Sequence, residues 1–137
     1  MRPTLLPLVV LCALSCSGAS EPGRELAPGV WGGERANLIV TPDSARAEFD
    51  CASGWLDEPI VLDAAGNFAV DGRFRFEAGP VFLPVPARWT GTVAIVRGGS
   101  QVTLSVLVLD PHAQPLKLGP YHLESGVQLT LGLCASG

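Results

Sequence analysis

The residues with the clearest capacity for chemistry are four cysteines: Cys12, Cys16, Cys51 and Cys134. Cys12 and Cys16 fall in an apolar N-terminal leader, which leaves Cys51 and Cys134 to the body of the chain. An even pair of cysteines in an exported domain indicates a disulfide bond. A zinc site would need more ligands, but the sequence has no CxxC motif and only two histidines. We therefore predict a Cys51–Cys134 disulfide and no metal site.

The leader has the three-part pattern of an export signal. Arg2 precedes an apolar run at residues 5–14, and small residues follow that run. The run is about ten residues long, too short for a membrane-spanning helix, which needs roughly 20. We expect residues 1–19 to be a signal peptide. The mature chain is then exported, either to the bacterial cell envelope or into the medium.

The last part of the leader allows two modes of processing. Residues 13–16, Ala-Leu-Ser-Cys, resemble a bacterial lipobox, with Ala13 where that motif prefers Leu. Cleavage before Cys16 would leave this cysteine to carry a lipid, giving a lipoprotein of the periplasm or outer membrane. Cleavage among the small residues 17–20 would release a secreted protein instead. Residues 20–29 are rich in Ser, Pro, Gly and Glu, which predicts a flexible linker before a β domain at residues 30–137.

Composition limits the partners of this domain. The chain has 137 residues, is 47% apolar and carries a formal net charge of −4. Once the leader and linker are set aside, one domain with a substantial core remains. A weakly acidic chain without a basic stripe argues against nucleic-acid binding. It also argues against electrostatic adhesion to anionic lipid, so we expect membrane contact only through a lipid on Cys16.

Period-2 alternation of apolar and polar residues recurs along the chain between turn signals, without sustained helical periodicity. It predicts eight strands at residues 30–41, 45–51, 55–62, 68–77, 87–97, 101–110, 116–123 and 127–133. Short connections imply that neighbouring strands pair as antiparallel hairpins. We therefore predict an all-β fold, an antiparallel meander of about eight strands closed into a small up-and-down barrel. A two-sheet β-sandwich is the alternative, because it uses the same pattern.

Residues 29–31, Gly-Val-Trp, stand just before the first predicted strand. A Gly-x-Trp at this position resembles the calycin barrels, the lipocalins and avidins. The resemblance implies that Trp31 closes one end of a barrel. Residues 31–34, 49–54, 66–68 and 79–80 together resemble uncharacterised small β proteins that bacteria export or anchor to lipid. That resemblance implies the compartment and the cysteine pair, and it implies no activity.

One loop is unusually apolar. Residues 77–86 read EAGPVFLPVP, where three prolines prevent regular strand pairing. Val81, Phe82 and Leu83 lie between those prolines, and exposed apolar patches often mark contact sites. The loop either folds back to plug the barrel or forms a docking tip at its mouth. Trp89 is a candidate wall of such a pocket, or a core residue.

Catalytic signatures are missing from the sequence. His112 and His122 stand in loop or strand-end positions without a motif around them, and the serines lack a nucleophile-elbow context. We predict no enzymatic activity, no catalytic residue and no cofactor. The expected function is binding of an apolar small ligand or an envelope protein partner by a cell-envelope barrel. A protease-inhibitor-like or structural role is the alternative.

Overall fold

The computed structural model describes residues 24–77, 83–132 and 134. Their secondary structure consists of strands joined by turns. The strands are β1 Arg24–Glu25, β2 Gly29–Gly33, β3 Ala36–Val40, β4 Ala45–Phe49, β5 Ala52–Leu56, β6 Val61–Leu62, β7 Asn67–Phe76, β8 Val85–Val96, β9 Gly99–Val108 and β10 Leu116–Ser125. In this part of the chain no helix is long and apolar enough to cross a membrane.

Eight of the strands close into a barrel. The order around it is β10-β2-β3-β4-β5-β7-β8-β9, and every neighbouring pair is antiparallel. Because β10 pairs with both β9 and β2, the sheet has no free lateral edge. The predicted all-β, up-and-down barrel is confirmed, and the sandwich alternative is wrong.

Side chains fill the inside of the barrel. Alternate residues of each strand face inward, as the period of 2 requires. Trp89 is the largest fully buried side chain, followed by Phe74, and Leu38, Leu56 and Leu104 are also fully buried. Gly54 on β5 provides the space for Trp89, since a Cβ at this position would overlap the six-membered part of the indole. A small strand residue thus faces the largest core residue.

The two ends of the barrel differ. At one end, which we call the ribbon end, β1 pairs with β6 in a separate two-stranded ribbon. Leu26 and Ile60 of this region are buried in the same core cluster as Trp31. The indole Nε1 of Trp31 donates a hydrogen bond to the carbonyl of Ala27 at 3.2 Å. The opposite end, the mouth, is where β7 and β9 finish and β8 and β10 begin.

The first predicted strand, 30–41, is a hairpin, because the chain reverses at Glu34 and Arg35. Both residues have positive φ, 51° and 69°, which is uncommon for residues other than glycine. Partners hold both of them. The Glu34 carboxylate accepts the backbone N–H of His122 at 2.9 Å and contacts its Nδ1 at 3.0 Å. Arg35 forms an ion pair with Asp50. Side-chain anchoring therefore replaces the glycine that would normally mark such a turn.

The last predicted strand, 127–133, is wrong for its described residues. Residues 127–132 follow β10 as an irregular segment, and Leu133 lies outside the described residues. The amide of Asn37 explains this path. It donates to the carbonyl of Leu129 at 2.9 Å and accepts the N–H of Leu129 at 2.8 Å. Asn37 lies between the inward-facing Ala36 and Leu38 on β3, so its side chain points outward. The C-terminal segment therefore crosses the outside of the barrel, where it buries this amide.

Two boundaries also differ from the sequence interpretation. Residues 24–29, assigned there to the linker, contribute β1 and the buried Leu26, so the packed domain includes residues from Arg24 onward. Residues 55–62 do not form one strand. β5 ends at Leu56, and Val61–Leu62 turns away to pair with β1. Pro59 lies between these two strands and explains the break.

Candidate functional site

A small cavity of about 210 Å³ opens at the mouth of the barrel. Its apolar wall is formed by Phe74, Phe76, Leu83, Val85, Val108 and Leu116. Asp110, Ala113 and Gln114 complete the lining from the β9–β10 connection. The cavity is therefore apolar with a carboxylate and an amide in its wall, the usual composition of a binding pocket.

Large apolar side chains surround this cavity at the surface. We call Phe76, Leu83 and Leu116 the mouth patch. Leu83 is 76% exposed, Phe76 48% and Leu116 42%. Single exposed aliphatic residues are ordinary, but several around one cavity form the kind of patch that marks an interaction site.

The neighbouring strands hold the mouth patch in place. Phe76 is the last residue of β7, and its ring contacts Phe74 edge-on, with centroids 4.8 Å apart. The next residue, Glu77, donates its N–H to the carbonyl of Cys51 at 2.8 Å. Next to Val108 of the cavity wall, Leu109 donates its N–H to the carbonyl of Pro86 at 2.8 Å. The rigid barrel therefore positions the apolar side chains from the ends of its strands.

Asp110 organises the other side of the cavity. Its carboxylate accepts the N–H of His112 at 2.9 Å, and its carbonyl accepts the N–H of Ala113 at 3.2 Å. These bonds form the turn from which Ala113 and Gln114 enter the cavity wall. The histidine that the sequence analysis regarded as a loop residue is an exposed member of this turn.

One charged group near the mouth has a perturbed pKa. The hydroxyl of Ser53 donates to the carboxylate of Glu77 and lowers the pKa of that carboxyl below its ordinary 4.5, and Arg75 at 3.3 Å acts in the same direction. Glu77 is therefore an anion at neutral pH. It directly follows Phe76 at the edge of the mouth patch.

The predicted site residues have different outcomes. Leu83 lies at the mouth, whereas Val81 and Phe82 lie outside the described residues. Trp89 is fully buried, and its ring lies 6.2 Å from Phe49 and 6.4 Å from Phe74, measured between centroids. It belongs to the packed interior and is not among the residues lining the mouth cavity.

Sequence reasoning missed Phe76 and Leu116 as site residues. Phe76 is in phase with the inward-facing Phe74 in the period-2 pattern, which indicates a core residue. At the last residue of β7, however, it is half exposed at the mouth. Leu116 begins a predicted strand after two prolines and gave no separate signal. Only the closure of the barrel brings these two positions together.

Cys51 and Cys134 are close enough to form a disulfide. Their Cα atoms are 5.1 Å apart, their sulfur atoms are at bonding distance, and 83 positions separate them in sequence. The prediction is confirmed in that Cys51 and Cys134 form a pair at disulfide distance. The bridge fixes the outer C-terminal segment to the β4–β5 turn, where the N–H of Gly132 also donates to Asp50 at 2.7 Å. Cys16 lies outside the described residues, so lipidation stays a prediction.

Across residues 24–77, 83–132 and 134, no three His, Cys, Asp or Glu side chains approach as metal ligands would. Comparisons of the chain with protein-family models, with curated proteins and with solved structures find no match. The function therefore has to be argued from the mouth itself.

Proposed function

We propose that the protein is a non-catalytic docking module of the bacterial cell envelope, anchored by a lipid on Cys16. Its mouth patch binds an apolar side chain of a partner protein. The observation that carries this proposal is the apolar cavity at the mouth, lined in part by the exposed Phe76, Leu83 and Leu116.

The size of the cavity favours a side chain over a whole lipophilic ligand. Pockets for drug-sized molecules hold about 300–1,000 Å³, and the mouth cavity is smaller, about 210 Å³. The space beneath it is occupied by Phe74 and Trp89, both fully buried. A fatty acid or similar molecule could not extend into this packed interior. One large aliphatic or aromatic side chain could fill the cavity while its backbone crosses the mouth patch.

The charges around the mouth suggest the rest of the contact. Asp110 lines the cavity, whereas the carboxylate of the nearby Glu77 is already paired with Arg75 at 3.3 Å. The chain as a whole is also acidic. A partner segment with an apolar side chain flanked by Lys or Arg would match this arrangement, because such charges steer association and fix orientation.

The proposal can be tested by NMR titration of the mature, isotope-labelled protein with N-acetyl-leucinamide, which mimics one apolar side chain on a peptide backbone. We expect shift changes to concentrate on mouth residues such as Val108 and Ala113. Leu116→Ser should abolish them, and Ile95→Ser should leave them unchanged. Ile95 is the matched control because it is an exposed aliphatic residue on a barrel strand far from the mouth.

A parallel titration with laurate distinguishes a side-chain site from a lipid carrier. Laurate should not perturb the interior residues Leu104 and Leu123. Interior shifts with laurate would contradict the docking proposal in favour of a carrier. Absence of mouth shifts with N-acetyl-leucinamide, or their persistence in Leu116→Ser, would also contradict it.

A further inference from the structure

The β8–β9 hairpin extends past the rest of the barrel at the ribbon end. β8 pairs with β7 as far as Thr92, and the N–H of Val93 still donates to the carbonyl of Gly66 at 2.9 Å. From Ala94 to Val96, β8 pairs with β9 alone among the strands described. Val96 is three residues beyond Val93, so the tip projects by about 10 Å.

This projecting tip, residues 95–97, is apolar at a place where polar residues would be expected. Ile95 is 90% exposed, more than any other large apolar residue described, and Val96 beside it is also exposed. Arg97 follows at the turn. Neither aliphatic side chain contributes to the buried core, so barrel stability does not account for them.

The tip and the N-terminal connection lie at the same end of the barrel. Arg24 pairs with Leu62 in the ribbon, and Cys16 precedes Arg24 by eight residues. Eight residues span at most about 29 Å. A chain anchored at Cys16 therefore holds the ribbon end within about 29 Å of the lipid surface, and the mouth lies at the opposite end.

We propose that the tip at residues 95–97 is a second membrane contact, which inserts Ile95 and Val96 among lipid headgroups beside the anchored N-terminus. This inference rests on the lipid anchor of the proposed function, and it departs from the sequence-based expectation that a lipid on Cys16 is the only membrane contact. The contact would be mainly apolar, as suits a chain with a net charge of −4, while Arg97 would meet lipid phosphate. A second contact fixes the orientation of the barrel and turns the mouth away from the membrane.

The test uses the full processed protein in vesicles of phosphatidylethanolamine and phosphatidylglycerol. A cysteine introduced by Arg97→Cys is labelled with the fluorophore NBD, and its accessibility is measured as the rate of reduction by dithionite. The control carries Ala113→Cys at the mouth. We expect reduction at position 97 to be about tenfold slower than at position 113. Burial of about one aliphatic side chain favours the inserted tip enough to leave position 97 in water for only about one-tenth of the time. Ile95→Ser with Val96→Ser should remove the difference.

The possible outcomes separate the tip from the anchor. Equal reduction rates at both positions, in protein that floats with the vesicles and carries a lipid by mass spectrometry, overturn the tip contact and leave the anchor intact. Protein that neither floats nor carries a lipid overturns the anchor, and the tip inference with it. Protection at position 97 that also occurs without vesicles and rises with protein concentration assigns the tip to contact between two copies, again overturning the inference.

Discussion

The packing of Trp89 against Gly54 yields a prediction that tests whether the barrel is filled. A Cβ at Gly54 would stand roughly 1.5 Å inside van der Waals contact with the indole. Overpacking a core usually costs about 1–3 kcal/mol, and the upper end of that range applies here because the fully buried Trp89 has little room to move. An alanine in a strand regains about 0.5–1 kcal/mol relative to glycine. Gly54→Ala should therefore lower the free energy of unfolding by about 2 kcal/mol.

The decisive measurement is a double-mutant cycle by urea denaturation. Trp89→Phe removes the ring atoms that a Cβ at Gly54 would meet, so Gly54→Ala should cost less than about 0.5 kcal/mol in that background. Trp55→Phe is the matched control. Trp55 lies on the outer face, with the guanidinium of Arg75 5.1 Å from its ring centroid, so its effect should add to that of Gly54→Ala. A neutral Gly54→Ala variant, or strict additivity with Trp89→Phe, would refute the close packing of the interior.

Three further predictions concern the clamps on the outside of the barrel. Asn37→Ala leaves two backbone groups of the C-terminal segment without their side-chain partner, and should lower the unfolding free energy by about 2 kcal/mol in urea denaturation. Replacing Cys51 and Cys134 by alanine should cost about 4–5 kcal/mol, because the bridge spans 83 positions; an unchanged Tm would contradict this. Hydrogen bonds from His122 lower the pKa of Glu34 below 4.5, and Arg35 lowers that of Asp50 below 3.8. The stabilisation from these two carboxylates is complete above their ordinary pKa values and is lost as the pH falls through the lowered pKa values. The urea midpoint of unfolding should therefore drop below about pH 4.5, and it should drop less steeply in Glu34→Gln.

The all-β class and the closed meander were predictable because each long strand alternates strictly. β9 places Val102, Leu104, Val106 and Val108 inside, and turn residues mark where the strands end. The cysteine pair was also predictable, since export leaves only two cysteines in the domain. These features depend on local periodicity and simple counting.

Other features depend on contacts that no local pattern reveals. The β2–β3 turn uses Glu34 and Arg35 in place of glycine or asparagine, and its anchors lie on β10 and after β4. The apolar residues 127–132 alternate like a strand, but the Asn37 amide on β3 holds them as an outer segment. Only part of the mouth was predictable. The apolar loop at residues 77–86 indicated Leu83 as a site residue, whereas Phe76 and Leu116 come together only because the barrel closes.

The most direct test of the docking function is photo-cross-linking in intact cells, followed by measurement on the purified complex. A photoreactive residue replaces Gln114 in the cavity wall or, as a control, Asp43 at the ribbon end. The docking proposal predicts one protein partner cross-linked from position 114 and not from position 43. Leu116→Ser should weaken the Kd of the purified complex at least about tenfold, the loss expected for one buried leucine, and Ile95→Ser should not. Cross-linking from position 43 alone, or a Kd that Leu116→Ser leaves unchanged, would contradict docking at the mouth.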